Sequence, residues 1–412
     1  MIRSICLAAL AANVATHTLA GPLTPPPGAP SPTNLTLQEI EPRTPISSPT
    51  IINQPGSYYL TNNINTTSRG VEIQATGVIL DLNGFTITGD GVGTTSEIGV
   101  LVSVSGNELP VVVKNGFVRN FTGDGVNTSS SNNTLVVENV HVVDCNSGIA
   151  SLGPAQIRDC VVRNCAADGF RISSTGIGLI VGCIAESNGS DGFQLDNAVA
   201  RDCVATNNAD RGFNVSLDSL LIGCVATLNF NGFVASTGST FKDCLAASND
   251  VTGFTASTAS SFTDCVARNN GDDGFIAANG VTFDGCTARQ NGNQGFDAGA
   301  ANVFTNCAAV NNAGDGFALN SDCRINFCVA DNNGAGDATA AGIRGSSDCT
   351  IDSCTVTDNP TGIISGVGAL VIRNTAAGNT TANYDIASSD HGAIVAPAGS
   401  FSTSNSFANI SY

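Results

Sequence analysis

What most limits the fold of this chain is a set of residue columns that return about every 21 positions, the mark of a repeat architecture. Cys160, Cys183, Cys203, Cys224, Cys244, Cys265, Cys286, Cys307, Cys328 and Cys354 form the first column. Five residues after the cysteine comes an asparagine, in order Asn188, Asn208, Asn229, Asn249, Asn270, Asn291, Asn312, Asn333 and Asn359. Nine or ten residues after it, behind a glycine, stand Phe170, Phe193, Phe213, Phe233, Phe254, Phe275, Phe296 and Phe317, then Ile363. Three residues before it stand Ile157, Ile180, Leu221, Phe241, Phe262, Phe283, Phe304, Ile325 and Ile351.

Within each repeat, Gly, Asn and Asp separate three short apolar alternations, the pattern of three strands and three turns. The glycines and β-branched residues leave no uninterrupted amphipathic run for a helical repeat, and no leucine ladder is present. The solution is an all-β right-handed parallel β-helix, with coils stacked at about the 4.8 Å strand spacing. About 12–14 coils of about 21 residues are expected, with a cap at each end. The columns then have physical roles. The two phenylalanine columns point inward, and Cys with the Ala two residues later (Ala185, Ala205, Ala226, Ala246, Ala267, Ala288, Ala309, Ala330) faces them. Large side chains opposite small ones fill a narrow interior. Asp, Gly or Asn before the cysteine suits a left-handed corner. The asparagines should form a buried amide ladder, because a buried amide needs partners.

The ends differ from the middle. Residues 1–20, one arginine followed by an apolar run and the small-residue exit Thr18–Ala20, read as a signal peptide, so a secreted or cell-surface location is expected. Residues 21–50 read as a proline-rich spacer and N-terminal arm, 51–379 as the β-helix and 380–412 as the C-terminal cap. No later segment is long and apolar enough to span a bilayer. The formal charge of −18, with only two lysines, argues against nucleic acid. Trp is absent and Tyr numbers four, which weighs against a dedicated sugar-stacking surface.

The stretches "IINQPGSYYLTNNI" and "GVILDLNGFTITG", the many "NxxxxGF" coils and the terminal "NYDIA…FANISY" resemble secreted right-handed β-helix repeat proteins of the pectin-lyase-like superfamily. This type is common in environmental bacteria such as planctomycetes, and the resemblance runs over residues 51 to 412. It implies the fold, while the superfamily's activities range from lyases, hydrolases and epimerases to adhesins and phage spikes. The epimerase Asp-Pro-His motif is missing from this sequence. So are the polygalacturonase aspartates with Gly-His-Gly and Arg-x-Lys, and the pectate lyase arginine motif.

Candidate chemistry is therefore read from convergent positions. Asp168 and Asp191, one coil apart, could form a carboxylate pair of the glycosidase kind, with Arg171 and Arg211 supplying positive charge. Gln194 and Asn214 project beside them as substrate-binding candidates. The competing reading is that a short polar residue before glycine simply bends the chain. No cofactor is required, although the Asn and Asp of "NNGDDG" (residues 269–274) offer oxygen ligands for Ca²⁺. Cys145–Cys165 and Cys323–Cys349 occupy adjacent coils within disulfide range. The ten-member cysteine column reads as inert packed thiols, and no zinc cage is expected. His141 and His391 read as ordinary surface or cap residues.

The position after the cysteine (Val161, Ile184, Val204, Val225, Leu245, Val266, Thr287, Ala308, Val329) faces outward yet is largely apolar, a stripe that suits homo-oligomer contacts. Two functions fit. One is an exported, non-catalytic solenoid of structural or adhesion type that binds a polysaccharide or cell-envelope component. The other is a polysaccharide lyase or hydrolase acting on the outer face near residues 160–214.

Overall fold

The computed structural model describes residues 42–92, 96–104, 109–129, 131–386, 389–396 and 405–412, without the side chains of residues 174 and 175. The signal-peptide expectation and most of the proline-rich spacer lie outside the described residues. Residues 43–412 form one compact unit. It is a parallel solenoid of about 16 turns, with no helix among the described residues. No helix there is long and apolar enough to cross a membrane.

One coil shows how the sequence dictates the path. Phe275–Ala277 lies in a first sheet, Thr282–Asp284 in a second and Thr287–Arg289 in a third. Each pairs in parallel and in register with the strand one repeat later, for example Phe275↔Phe296, Phe283↔Phe304 and Ala288↔Ala309. Alternation then sends every second side chain inward. The bend between the second and third sheets uses one left-handed residue just before the cysteine, such as Asp202 (φ 53°), Asp264 (φ 53°) or Gly285 (φ 66°). A second left-handed column, not foreseen from the sequence, precedes each ladder asparagine: Asn207, Ser248, Asn269, Gln290 and Asn311 all have φ between 55° and 58°. Asn and Asp tolerate this region because their short side chains bond locally.

The interior follows the expected columns. The first-sheet phenylalanines from Phe170 to Phe317 stack face to face at 4.7–4.8 Å. Phe241, Phe262, Phe283 and Phe304 form a second stack at 4.7–5.0 Å. The two stacks meet edge to face, as Phe275 and Phe283 do at 5.7 Å and 81°. Rings prefer offset or edge contacts, and each well-placed pair adds about 1 kcal/mol beyond burial. The glycine before each phenylalanine is compulsory: a Cβ on Gly274 would stand 2.6 Å from the Gly295 carbonyl and 2.7 Å from the Asn291 amide.

That amide belongs to the ladder. Asn188 Nδ2 donates to Asn208 Oδ1 (2.9 Å), Asn208 to Asn229 (2.9 Å), and the chain continues through Asn270 to Asn291 (3.0 Å) and Asn359 to Asn379 (3.2 Å). The same carbonyl oxygens also accept backbone N–H groups, as Asn270 Oδ1 does from Asn249 N.

Three sequence expectations change. The coil count rises from 12–14 to about 16. The first coils have strands as short as Ile64–Asn65 and carry neither the cysteine nor the asparagine column. The ladder also starts inside the segment read as an arm, where Thr44–Ile46 pairs with Gly56–Leu60. At the other end, Ala382–Asp385 within the expected cap pairs with Thr361–Ser365. Finally, Ile343 fills the phenylalanine column between Phe317 and Ile363, a position hidden in the sequence by a longer turn ahead of it.

Asn270→Ala removes the donor to Asn291 Oδ1 and the Ala246 carbonyl and the acceptor for Asn249. It is expected to lower unfolding free energy by roughly 1–3 kcal/mol, measured by denaturant titration.

Candidate functional site

The carboxylates singled out in the sequence sit two residues before the inward phenylalanine, where the chain enters the first sheet. This position is half turn and half strand, so the side chain lies along the rod instead of standing out from it. Asp168 and Asp191 are buried. Asp168 Oδ1 accepts the Asp191 N–H (3.3 Å), and Asp191 Oδ1 accepts the Arg211 N–H (3.1 Å). Asp191 Oδ2 accepts the Asn214 amide at 2.8 Å. Burial raises the Asp191 pKa, against the lowering effects of Asn214 and the Arg211 N–H. Asp168, Asp191, Asn214 and the Arg211 backbone are thus brought together, but as a vertical hydrogen-bonded column.

The arginines go elsewhere. Arg171 reaches Asp124 (Nη2–Oδ2, 3.5 Å), and Arg211 lies 3.9 Å from Asp210. Gln194 stands half-buried in register between Arg171 and Asn214. Asp124 was missed in the sequence, although "GDGV" places it before a Gly-Val pair as Asp168 stands before Gly-Phe. Ser147 occupies the same column between them, and its buried Oγ has no hydrogen-bond partner.

Further along the column the pattern changes in one coil. Two aspartates also reach the residue just past the phenylalanine position of the next coil. For Asp191 that residue is Asn214, and for Asp315 it is Arg344, with Nε at 2.7 Å and Nη2 at 3.0 Å. Near Asp273 that place, opposite Ile276, is taken by Asp297. Asp273 is buried and accepts the Gln294 N–H at 2.8 Å. Burial pushes its pKa up to about 7, with Asp272 and Asp297 adding repulsion. Burial raises Asp297 too, followed by Asp272 and Asp315.

No three His, Cys, Asp or Glu side chains gather as metal ligands among the described residues. Of the "NNGDDG" oxygens considered for Ca²⁺, Asn270 is spent in the ladder and Asp273 on Gln294.

The two expected disulfides are absent: Cys145, Cys165, Cys323 and Cys349 are free buried thiols. All four lie in turns, Cys145 and Cys165 ahead of the first sheet and Cys323 and Cys349 ahead of the second. The thiols instead meet carbonyls, Cys323 at Gly299 (3.1 Å) and Cys349 at Asn320 (3.0 Å). Burial pushes the Cys145 thiol up to about 12 and Cys165 to about 11, so both stay protonated and inert. The column cysteines are buried likewise, each donating to a backbone oxygen, as Cys203 does to Arg201 (3.2 Å).

On the third sheet the outward stripe runs half-exposed through Val161, Val204, Val225, Leu245 and Val266. It begins with two aromatics in the same register, Phe117 and His141. Their ring centroids lie 5.1 Å apart at 44°. Burial, then the nearby Arg163 charge, lowers the His141 pKa.

With this geometry in view, comparison with known proteins gives the class. The family model described as "Right handed beta helix region" matches residues 99–251 and 153–282. The chain is a right-handed parallel β-helix protein. No curated protein matches the sequence. Solved structures with a similar course include the A-module of mannuronan C-5 epimerase AlgE4 from Azotobacter vinelandii. It is 15% identical with a TM-score of 0.38, over 76% of this chain and 87% of that one. The Dettilon tailspike protein is 11% identical with a TM-score of 0.39, over 89% and 61%. Tailspike protein 3 of bacteriophage CBA120 is 13% identical with a TM-score of 0.38, over 77% and 56%.

The Asp273 carboxyl gives a pH test. Its folded pKa of about 7 lies above the ordinary 3.8, so the folded state holds the proton more tightly than the unfolded chain. Stability should therefore fall as pH rises from about 4 to 7. Asp273→Asn, which mimics the protonated form, should raise the melting temperature at pH 8 and leave it nearly unchanged at pH 4.

Proposed function

We propose that this chain is an exported, non-catalytic rod that binds polysaccharide, or another component of the cell envelope, along its lateral faces. The observation that supports it most directly is the fate of Asp191: both of its oxygens are engaged, by the Arg211 N–H and the Asn214 amide. A retaining hydrolase needs one carboxyl free to protonate the leaving oxygen and another free to attack. Around residues 160–214 the carboxylates serve the coil stack, and Arg171 is tied to Asp124. What remains for a partner is a long, regular surface. The half-exposed apolar stripe belongs to the same proposal as a contact between copies lying side by side.

A second reading, a polysaccharide-active enzyme, draws on a different coil. Asp273 carries a proton near neutral pH and has a second carboxylate, Asp297, close by. An acid with a raised pKa beside another carboxylate is the pairing glycoside cleavage uses.

Acidic and neutral polysaccharides should retard the protein in affinity electrophoresis without yielding reducing ends or unsaturated products, and Asp191→Ala should not change this. Product formation abolished by Asp273→Asn would replace the first reading with the second. Light scattering should show association weakened by Val225→Ser; a strict monomer would remove the side-by-side contact.

A further inference from the structure

Among the described residues, the outward column of the third sheet has its aromatics in a single place. Phe117 and His141 sit on successive coils, and every later position to Val329 is aliphatic or small. Phe117 is 42% exposed, although the chain buries every phenylalanine of its two stacks. Beside the rings lies a depression of about 140 Å³, walled by Asn115, Asn139, Gly84 and Gly116. Asn115 and Asn139 hold left-handed backbone (φ 59° and 52°), and Asn139 donates to Asn115 at 3.3 Å. Two residues along the same strands, the register runs Arg119, Val143, Arg163. The two arginines therefore stand on one side of the ring column, on coils roughly 10 Å apart.

Neither arginine makes an ion pair among the described residues, whereas Arg43, Arg69, Arg171, Arg344 and Arg373 all do. Lys114 and Arg158 stand in register with Glu138 on the other side of the asparagines, and Asp144 and Asp159 occupy the adjoining turns. Asp81 adjoins Lys114 and Glu186 adjoins Arg163, so the surrounding charges nearly balance in a chain whose formal charge is −18, and the local positive charge comes from the two arginines that form no ion pair.

We infer that Phe117, His141, Arg119, Arg163, Asn115 and Asn139 form a subsite for a carboxylated sugar ring of an acidic polysaccharide. This rests on the reading of the chain as a polysaccharide binder and specifies where and what it binds. The apolar C–H face of a pyranose lies on the exposed rings, as amphipathic ligands do on aromatic platforms. Asn139 donates one amide hydrogen to Asn115 and Asn115 one to Asp81, and the second hydrogen of each meets its hydroxyls. A guanidinium takes the carboxylate through two parallel N–H···O bonds, a geometry that lysine cannot supply. Two arginines two coils apart match the reach of a disaccharide laid along the rod. The absence of Trp does not oppose this, because a phenylalanine and a half-buried imidazole supply the platform.

The test is calorimetric titration of the full chain with oligogalacturonate and, separately, neutral maltooligosaccharide. Wild type is expected to bind oligogalacturonate in a salt-sensitive manner and to prefer it. Phe117→Ser and the double variant Arg119→Gln/Arg163→Gln should each weaken it roughly tenfold, the second also erasing the preference. Leu228→Ser, an exposed turn residue elsewhere on the rod, should bind as wild type. Unaltered circular dichroism and melting temperature separate lost contacts from lost fold. Oligogalacturonate binding unchanged by both Phe117→Ser and the double arginine variant, or binding of neutral sugar alone, overturns the subsite and leaves the rod a polysaccharide binder. No binding to either sugar overturns the subsite, and the broader reading falls with it only if the polysaccharide gels also show no retardation.

Discussion

Everything in this molecule hangs on the vertical hydrogen bond between one coil and the next. A coil taken alone has no core: its inward Phe, Ala and Cys can only be covered by the same residues above and below. Register follows from this requirement, since a shift of one residue would turn each strand's apolar set to solvent. The asparagine ladder fixes the register more tightly than the apolar packing could. Each buried amide finds both donor and acceptor partners only when the coils align, and an unsatisfied amide is costly in a dry interior.

The same demand explains why the carboxylates singled out in the sequence bond along the stack. A polar side chain repeated at one position of a solenoid meets its own kind at about the strand spacing, and it is drawn into bonding along the axis. Asp168, Asp191 and Asp315 each serve the backbone of the following coil. The repeat is broken elsewhere, by the second carboxylate Asp297 near Asp273 and by the outward rings of Phe117 and His141.

That also sets what could be read from the sequence. The fold was legible because four columns imposed the period, and Phe262, Phe283 and the asparagines occupy the places the spacing demanded. The early coils were undercounted because Ile64–Asn65 and its neighbours carry no column residue, only short apolar pairs. Ile343 was hidden because the long turn ahead of it stretches that repeat beyond the period. The site was less legible for a different reason. The sequence locates Asp191 next to a strand, yet whether its carboxylate points outward or along the axis depends on a backbone rotation that spacing does not encode. The cysteine pairs differ likewise: proximity followed from the repeat, while the turn carbonyls that receive the Cys323 and Cys349 thiols belong to the three-dimensional arrangement.

The long turn between Asn333 and Ile343 shows what such a rod allows. Gly334–Ala340 adds length to one coil while Asn333 still meets Asn359 and Ala330 still pairs with Val356. Loop closure grows only slowly more costly with length, so the perimeter can lengthen at a corner with no adjustment of the axis. Surface decoration and load-bearing stack are thereby separable, and new recognition loops can be grafted at this corner without renegotiating the core.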